Sequence, residues 1–393
     1  MYMDFQYYTP TRVVFGKGAE AQVGELVKVQ GCKKVLIHYG GKSAVKSGLI
    51  GRVEAALQQA GVAYVSLGGV QPNPRLSLAR KGIELCKAEG VDFILAVGGG
   101  SAIDSAKCIA YGVANEGDVW DVYEHTRLAA ACLPLGVVLT IAAAGSEMSC
   151  GSVVTKDEGG VKRAYDDDLS RPKFAVMNPE LTMTLPTYQT FSGIADILMH
   201  TMERWFNQAD NMDMTDAISA ALLKNVMKHA RVLVKEPDNY ASRAEIMWAG
   251  SLSHNGLTGC ATGGGDWASH NMEHELGGLY DVAHGAGLAA VWPAWARYVN
   301  HAAPHRFYKF AVEVMGVEPG EEQATIEAGI CAMEAFYRET GMPTNLTELG
   351  VAPTEAEIEH MAKSCYAACG GPAGCVKPLE VADMIQIYKN ARG

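Results

Sequence analysis

The sequence lacks any run of about 18 apolar residues and has no excess of positive charge. Among its 393 residues, 33 Lys and Arg stand against 44 Asp and Glu, which gives a formal net charge of −11. The missing apolar run argues against a membrane span, and the acidic balance argues against a nucleic-acid partner. The N-terminus, MYMDFQYYTPTR, has no basic segment followed by an apolar one, so no secretory signal is expected and the predicted location is cytoplasmic.

Cysteine pairs with the spacing of a metal site are also missing. The ten cysteines are scattered along the chain without a CxxC motif, which indicates free thiols in a reducing compartment. Cys365, Cys369 and Cys375 do lie close together in the sequence. A small zinc or redox site is one interpretation. Helix-face cysteines followed by a Gly-Pro turn is the other, and three thiols without CxxC favour it.

The first half of the chain alternates short apolar runs with amphipathic segments. This pattern predicts βαβ units and a parallel sheet, because the continuous apolar runs fit strands that are buried on both faces. The predicted strands are 33–38, 62–67, 93–97 and 136–140, and the predicted helices are 44–60, 76–89 and a helix that follows the glycines at 98–100.

The second half carries apolar residues at helical spacing. We therefore predict an α/β dinucleotide-binding domain over 1–186 and an all-α, metal-binding domain over 187–393. The predicted helices of the second domain are 192–207, 213–234, 242–254, 267–277, 284–300, 321–340 and 355–366.

A run of three glycines, followed by Ser101, stands where a predicted strand ends and a helix begins. Glycine lets the backbone approach a ligand, and a helix N-terminus offers N–H groups to an anion. Asp104 lies in the first helical turn, where it can orient the loop. We favour a pyrophosphate site over a tight turn without a ligand, although this is not the GxGxxG fingerprint.

A second glycine loop follows the first predicted strand. It contains Gly40, Gly41, Lys42 and Ser43, and there is no acid from 38 through 48. Dinucleotide folds that bind NAD often place an acid after such a strand for the ribose 2′-hydroxyl, and its absence permits a 2′-phosphate. The loop therefore favours NADP over NAD; the alternative is an ordinary exposed basic loop.

Asp196 and His200 are four residues apart and share one face of a predicted helix, as do His270 and His274. His284 follows at a predicted helix start. One carboxylate and several imidazoles can supply a shell for a divalent metal. Spacing alone leaves open whether the 270s helix contributes its first or its second histidine, and separate structural histidines are the alternative to a metal site.

These motifs resemble the iron-activated (group III) alcohol dehydrogenases, most closely the branch of butanol-dehydrogenase-like, NADPH-dependent aldehyde reductases. The resemblance runs along nearly the whole chain. It implies a Rossmann-like domain with a parallel sheet joined to a helical domain, the fold of dehydroquinate synthase and iron-containing alcohol dehydrogenases. The shared motifs are TPTRVVFGKG, YGGKSAVKSG, QPNP, AVGGGSAIDSAK, AGSEMS, ADILMHTMERW and SHNMEHELGGLYDVAHG.

The resemblance also implies roles for individual residues. The metal ligands would be Asp196, His200, His270 and His284, with His274 near the metal as the candidate catalytic proton carrier or as a residue that orients a ligand. The predicted cofactor-binding residues are Gly40, Gly41, Ser43, Asn73, Gly99, Gly100, Ser101, Asp104, Thr140, Ser149 and Lys162.

The expected activity is hydride transfer between NADP(H), with NAD possible, and small aldehydes or primary alcohols of the butanal and butanol kind. The metal would be Fe²⁺ or Zn²⁺, and the resemblance implies a homodimer. The chain departs from the family at Ala142 and Ala144, where a proline and a hydroxyl residue are usual. The alternatives are a polyol dehydrogenase or dehydroquinate-synthase-like enzyme, and a non-catalytic binding protein that only these two alanines support.

Overall fold

The computed structural model describes residues 4–209 and 212–393. The chain divides into two compact units. The first is Thr9–Thr184, and the second is Leu185–Gly393 together with residues 4–8. The first unit contains the sheet. In the described part of the second unit there is no strand beyond a single bridge between Ala373 and Leu379.

A six-stranded sheet in the order β1-β8-β5-β4-β2-β3 forms the centre of the first unit, and every neighbouring pair in it is parallel. Strands β6 and β7 form a separate antiparallel pair. The strands are β1 Arg12–Phe15, β2 Lys34–Tyr39, β3 Ala63–Leu67, β4 Phe93–Gly98, β5 Leu135–Leu139, β6 Gly151–Thr155, β7 Lys162–Asp166 and β8 Phe174–Met177.

The central strands are buried along their whole length. All six residues of β4 and all five of β5 are buried, as expected for parallel strands that are covered on both faces. Their continuous apolar runs, FILAVG and LGVVL, are what the sequence needs in order to place them in the middle of the sheet. The carboxyl ends of β2, β4 and β5 lie side by side, since Tyr39 pairs with Val97 and Gly98 with Leu139.

Helices surround the sheet in the first unit and build the second unit. A π-helical segment, Phe310–Val314, continues one of them. The helices are α1 Val23–Lys28, α2 Ser43–Lys46, α3 Leu49–Gln59, α4 Leu76–Glu89, α5 Gly100–Ala114, α6 Trp120–Tyr123, α7 Thr187–Trp205, α8 Asp213–Lys235, α9 Tyr240–His254, α10 Ala268–Tyr280, α11 His284–Val299, α12 Pro304–Lys309, α13 Glu322–Glu339, α14 Leu346–Leu349, α15 Glu355–Ala368 and α16 Val381–Asn390.

The predicted fold class, a parallel α/β domain followed by a helical domain, is confirmed. One predicted helix is wrong, because 44–60 is two helices, α2 and α3. Gly48, with φ 73°, precedes α3 in a left-handed conformation that ends the first helical turn. The helix predicted from 192 begins five residues earlier, at Thr187, directly after Pro186. Proline is tolerated at a helix start because its missing N–H has no helical partner there.

All ten cysteines are free thiols. Among residues 4–209 and 212–393, the groups of side chains close enough to hold a metal contain no cysteine, so nothing supports a zinc site at Cys365, Cys369 and Cys375. Within the same ranges, no helix combines the length and the apolar character that a membrane crossing requires.

His38, in β2, is fully buried and makes the sheet sensitive to acid. Its Nδ1 lies 2.9 Å from Leu67 O and its Nε2 lies 2.8 Å from Ser105 Oγ. Burial lowers the pKa of His38 to about 4, and the contact with Leu67 O only partly offsets that effect. The histidine is therefore neutral in the folded protein, whereas the unfolded chain takes up a proton as the pH falls below about 6.5.

We predict that the His38→Gln variant loses less stability in acid than the parent protein. The contribution of His38 is fully present above pH 6.5 and disappears toward pH 4, and it amounts to about 2 kcal/mol between pH 7.5 and pH 5. Urea unfolding at both pH values measures the difference, with exposed His360→Gln as the control. Equal acid losses in parent and His38→Gln would contradict the prediction.

Candidate active site

The helical unit gathers its histidines around one carboxylate. Asp196 and His200 lie one turn apart on α7, both buried, with His200 Nδ1 3.4 Å from Asp196 Oδ1. His270 in α10 and His284 at the start of α11 each place Nε2 3.7 Å from the same Asp196 oxygen. One ligand atom from each of Asp196, His270 and His284 falls within 4.8 Å of the others. His200 belongs to the cluster through Asp196 but lies outside that tightest group of three.

Two buried glutamates orient these imidazoles. Glu203 Oε1 accepts hydrogen bonds from the backbone N–H and Nδ1 of His270, both at 3.0 Å. Glu273 Oε2 accepts one from Nδ1 of His284. A carboxylate on Nδ1 leaves the Nε2 lone pair available for a metal, and such partners are typical of metal-binding histidines. Our sequence reasoning missed both glutamates, although each stands three residues after a predicted ligand, in HTME and HNME.

Three atoms of the cluster are buried polar atoms without a hydrogen-bond partner: Asp196 Oδ1, His200 Nδ1 and His270 Nε2. Burying polar atoms without partners costs roughly 1–3 kcal/mol each, so a group that satisfies all three at once fits this place. The donor set, one carboxylate oxygen with imidazole nitrogens, suits a divalent transition metal. The residues present therefore fit the predicted metal.

The charges of the cluster divide it into two kinds of histidine. Burial, and then the neighbouring imidazoles His254 and His270, lower the pKa of His200 well below its usual value, which keeps its lone pair available. Burial also opposes a charge on His270, but the carboxylates of Asp196 and Glu203 outweigh it and raise the pKa of His270 to about 9. A cation at this place would replace the proton that those carboxylates otherwise favour.

His274 lies beside the cluster and outside its tightest group. Its ring stacks on that of His284 with centroids 5.6 Å apart, and its centroid lies 6.4 Å from that of His270. It also forms a second possible ligand group with Glu273 and His284. The structure thus separates His270 from His274, which the helical spacing did not.

The glycine run at the end of β4 is required by packing. A Cβ at Gly99 would lie 1.9 Å from Ile141 Cγ2, and one at Gly100 would lie 2.9 Å from the Ala144 side chain. The run is therefore explained without a ligand, and it does not by itself indicate pyrophosphate. Ala144, one of the departures from the family pattern, is the small side chain that faces Gly100.

The second glycine loop is different. A Cβ at Gly41 would meet nothing within 4 Å, one at Gly40 would lie 3.7 Å from Val70 O, and neither glycine has a positive φ. Neither packing nor backbone conformation requires glycine here, which leaves room for a ligand at an exposed turn that also carries Lys42 and Ser43. This loop and the turn at 98–101 follow neighbouring strands, so both lie at the carboxyl edge of the sheet, where nucleotides bind in such folds.

Two charged residues of α5 hold the segment that follows β5. Asp104 accepts hydrogen bonds from Ser146 Oγ at 2.6 Å and from Val153 N at 3.1 Å. The fully buried Lys107 donates from Nζ to three backbone carbonyls, those of Ser146, Ser149 and Gly151, at 2.7–2.9 Å. The carboxylate predicted at the phosphates thus makes its hydrogen bonds within the protein, and Ser149 is tied to α5 through its carbonyl.

The remaining predicted cofactor residues lie in the same unit. Thr140 directly follows β5, and its N–H donates to Gly98 O at 3.0 Å. Asn73 is buried with φ 53°, and Lys162 is buried at the start of β7. No distance connects these two residues to the glycine loops, so their predicted contacts with a nucleotide stay predictions.

Comparison with known proteins decides the family. Residues 10–179 match the family model described as iron-containing alcohol dehydrogenase, and residues 190–392 match the one described as Fe-containing alcohol dehydrogenase family, C-terminal. The chain belongs to the iron-containing alcohol dehydrogenase family. The expected family is therefore confirmed, and so are the expected fold and enzyme class.

Relatives of this alcohol dehydrogenase differ in the cofactor that their names give. NADH-dependent butanol dehydrogenase A of Clostridium acetobutylicum is 38% identical over 393 residues, which is 99% of this chain and 100% of that protein. NADPH-dependent aldehyde reductase YqhD of Escherichia coli is 34% identical over 352 residues, 88% of this chain and 89% of that one. The crystal structure of NADH-dependent butanol dehydrogenase A from Thermotoga maritima matches with a TM-score of 0.96 at 35% identity, covering 100% and 99% of the two chains.

We predict that Glu203→Gln lowers the affinity of the protein for a divalent metal by roughly ten- to a hundredfold, because losing the charge behind a ligating histidine weakens its nitrogen as a donor. Asp196→Ala should abolish stoichiometric binding. Competition with a chromogenic chelator measures both, with Glu359→Gln, a surface residue paired with Lys363, as the control. Full metal content in Asp196→Ala would contradict the assignment.

Proposed function

We propose that this enzyme interconverts small aldehydes and primary alcohols by hydride transfer with NADP(H), using a divalent metal held by Asp196, His200, His270 and His284. The observation that carries the proposal is the convergence of an Asp196 oxygen with three imidazoles, at a place where three buried polar atoms have no hydrogen-bond partner. The names of the relatives, butanol dehydrogenase and aldehyde reductase, support the substrate class.

When bound, the metal supplies Lewis acidity that polarises a carbonyl oxygen, and the nicotinamide supplies the hydride. The chain's own residues hold and orient these groups. Glu203 and Glu273 fix the rings of His270 and His284. His274, stacked on His284, is placed either to move a proton at the substrate oxygen or to support that ligand, and both roles fit its position.

The preference for NADP rests on the loop after β2. Its positions 38–48 contain no acid, and the glycines at 40 and 41 leave space that packing does not require. Lys42 is exposed beside them and can meet a 2′-phosphate. The relatives include proteins named as NADH-dependent and as NADPH-dependent, so family membership leaves the choice to this loop. The predicted homodimer, cytoplasmic location and identity of the metal, Fe²⁺ or Zn²⁺, stay predictions.

Removal and return of the metal tests the proposed activity. Chelated protein should lose at least nine-tenths of its butanal reduction with NADPH, and equimolar Fe²⁺ or Zn²⁺ should restore it, as followed by absorbance of the reduced nicotinamide. Asp196→Ala, treated in the same way, should stay inactive. Full activity of the chelated protein, verified metal-free by elemental analysis, would contradict the proposal.

Lys42→Glu tests the cofactor preference. Reversing this charge should weaken NADPH binding about tenfold, since it replaces attraction to a 2′-phosphate by repulsion, and NADH binding should change much less. Titration of each cofactor by fluorescence gives both affinities. Lys28→Glu, an exposed lysine of the same unit, is the matched control. An equal loss for NADPH and NADH would show that Lys42 does not read the 2′-phosphate.

A further inference from the structure

A fifth imidazole lies against the metal cluster. His254, the last residue of α9, has its ring centroid 4.1 Å from that of His200, with the two planes at 70°. Its sequence spacing indicated only a structural or surface histidine, because it has no partner at helical spacing. His254 is partly exposed, whereas His200 is buried, so it borders the cluster on a side that solvent reaches.

The position of His254 is fixed through the backbone around it. Arg204 donates from one nitrogen to two carbonyls, that of His200 at 2.7 Å and that of Ser253 at 3.1 Å. This double contact ties the end of α9 to the helix that carries Asp196 and His200. Thr258 Oγ1 also donates to Ser253 O, at 3.2 Å. The short distance between His200 and His254 is therefore built into the fold.

The indole of Trp267 completes this side of the cluster. Its ring centroid lies 5.7 Å from that of His254, 6.0 Å from that of His200 and 5.1 Å from that of His270. Trp267 has φ 62°, an unusual conformation for a bulky residue, and its Nε1 donates to Gly264 O at 2.7 Å. Backbone strain of this kind persists where surrounding contacts over-determine it and often marks a ligand site.

His254 has no role in the metal site itself. In the described ranges it is absent from both groups of side chains that could hold a cation. Attraction to the carbonyl end of its own helix would account for a histidine here, but not for a ring packed against His200 and facing Trp267. Beside an apolar indole, an imidazole adds one hydrogen-bond donor and one acceptor, which is what a hydroxyl group of a ligand requires.

We propose that His254 determines substrate specificity by hydrogen-bonding a second oxygen of the substrate, so that the enzyme favours aldehydes with a hydroxyl two or three carbons from the carbonyl. A three-carbon chain spans roughly 4 Å, similar to the separation of the His200 and His254 rings. A substrate whose carbonyl lies beside His200 thus reaches His254 with its other end. This inference rests on the proposed function, since it concerns the same site.

The test compares two aldehydes that differ in one hydroxyl, 3-hydroxypropanal and butanal. For each, kcat/KM is measured with metal-loaded protein and NADPH, and the ratio of the two values is the readout. His254→Leu should lower the ratio about tenfold through loss of one hydrogen bond, mainly in KM for the hydroxyaldehyde, whereas His254→Gln should retain most of it. His360→Leu, an exposed histidine of the same unit, should leave the ratio unchanged.

Metal content and binding of 1,3-propanediol as a product inhibitor are measured alongside. Should His254→Leu fold poorly, the inhibition constants of 1,3-propanediol and 1-butanol on the parent protein decide: the diol binding at least as tightly supports the inference, and tenfold weaker binding overturns it. A ratio of kcat/KM in His254→Leu within twofold of the parent, with metal content intact, also overturns it. Turnover of neither aldehyde by the parent protein would instead refute the proposed function, and the inference with it.

Discussion

The hydrogen bonds from Nδ1 of His270 to Glu203 and from Nδ1 of His284 to Glu273 determine which nitrogen each imidazole turns toward Asp196. Both acceptors are completely or almost completely buried, where an unpartnered carboxylate would be costly. The glutamates therefore need the histidines as much as the histidines need them. The result is a set of lone pairs that converge before any cation arrives, which lowers the cost of binding one.

The α/β unit uses small residues and buried charges to a comparable end. Gly99 and Gly100 let the start of α5 approach Ile141 and Ala144, closer than any side chain would allow. Further along the same helix, Asp104 and Lys107 attach the segment that contains β6. An ammonium group buried with three carbonyls is stable only if all three bonds are kept, so this segment has little freedom to shift.

Much of this arrangement follows from local sequence rules. Apolar runs gave the central strands, and the spacing of Asp196, His200, His270 and His284 gave the cluster. What the sequence did not reveal depends on contacts between distant segments: the short edge strands β1 and β8 exist only because they pair with each other, and Glu203 acts on a histidine 67 residues away. His254 is the plainest case, since nothing in its neighbouring residues indicates that it packs on His200.

Anomalous X-ray scattering at the absorption edge of the added metal locates the cation most directly. Crystals of protein loaded with one equivalent should show a single peak in contact with Asp196 Oδ1 and with nitrogens of His200, His270 and His284, at the 2.0–2.2 Å or so typical of such bonds. A peak at the neighbouring group of Glu273, His274 and His284, or a peak remote from Asp196, would contradict the account, because the buried oxygen and nitrogens at its centre would then have some other purpose.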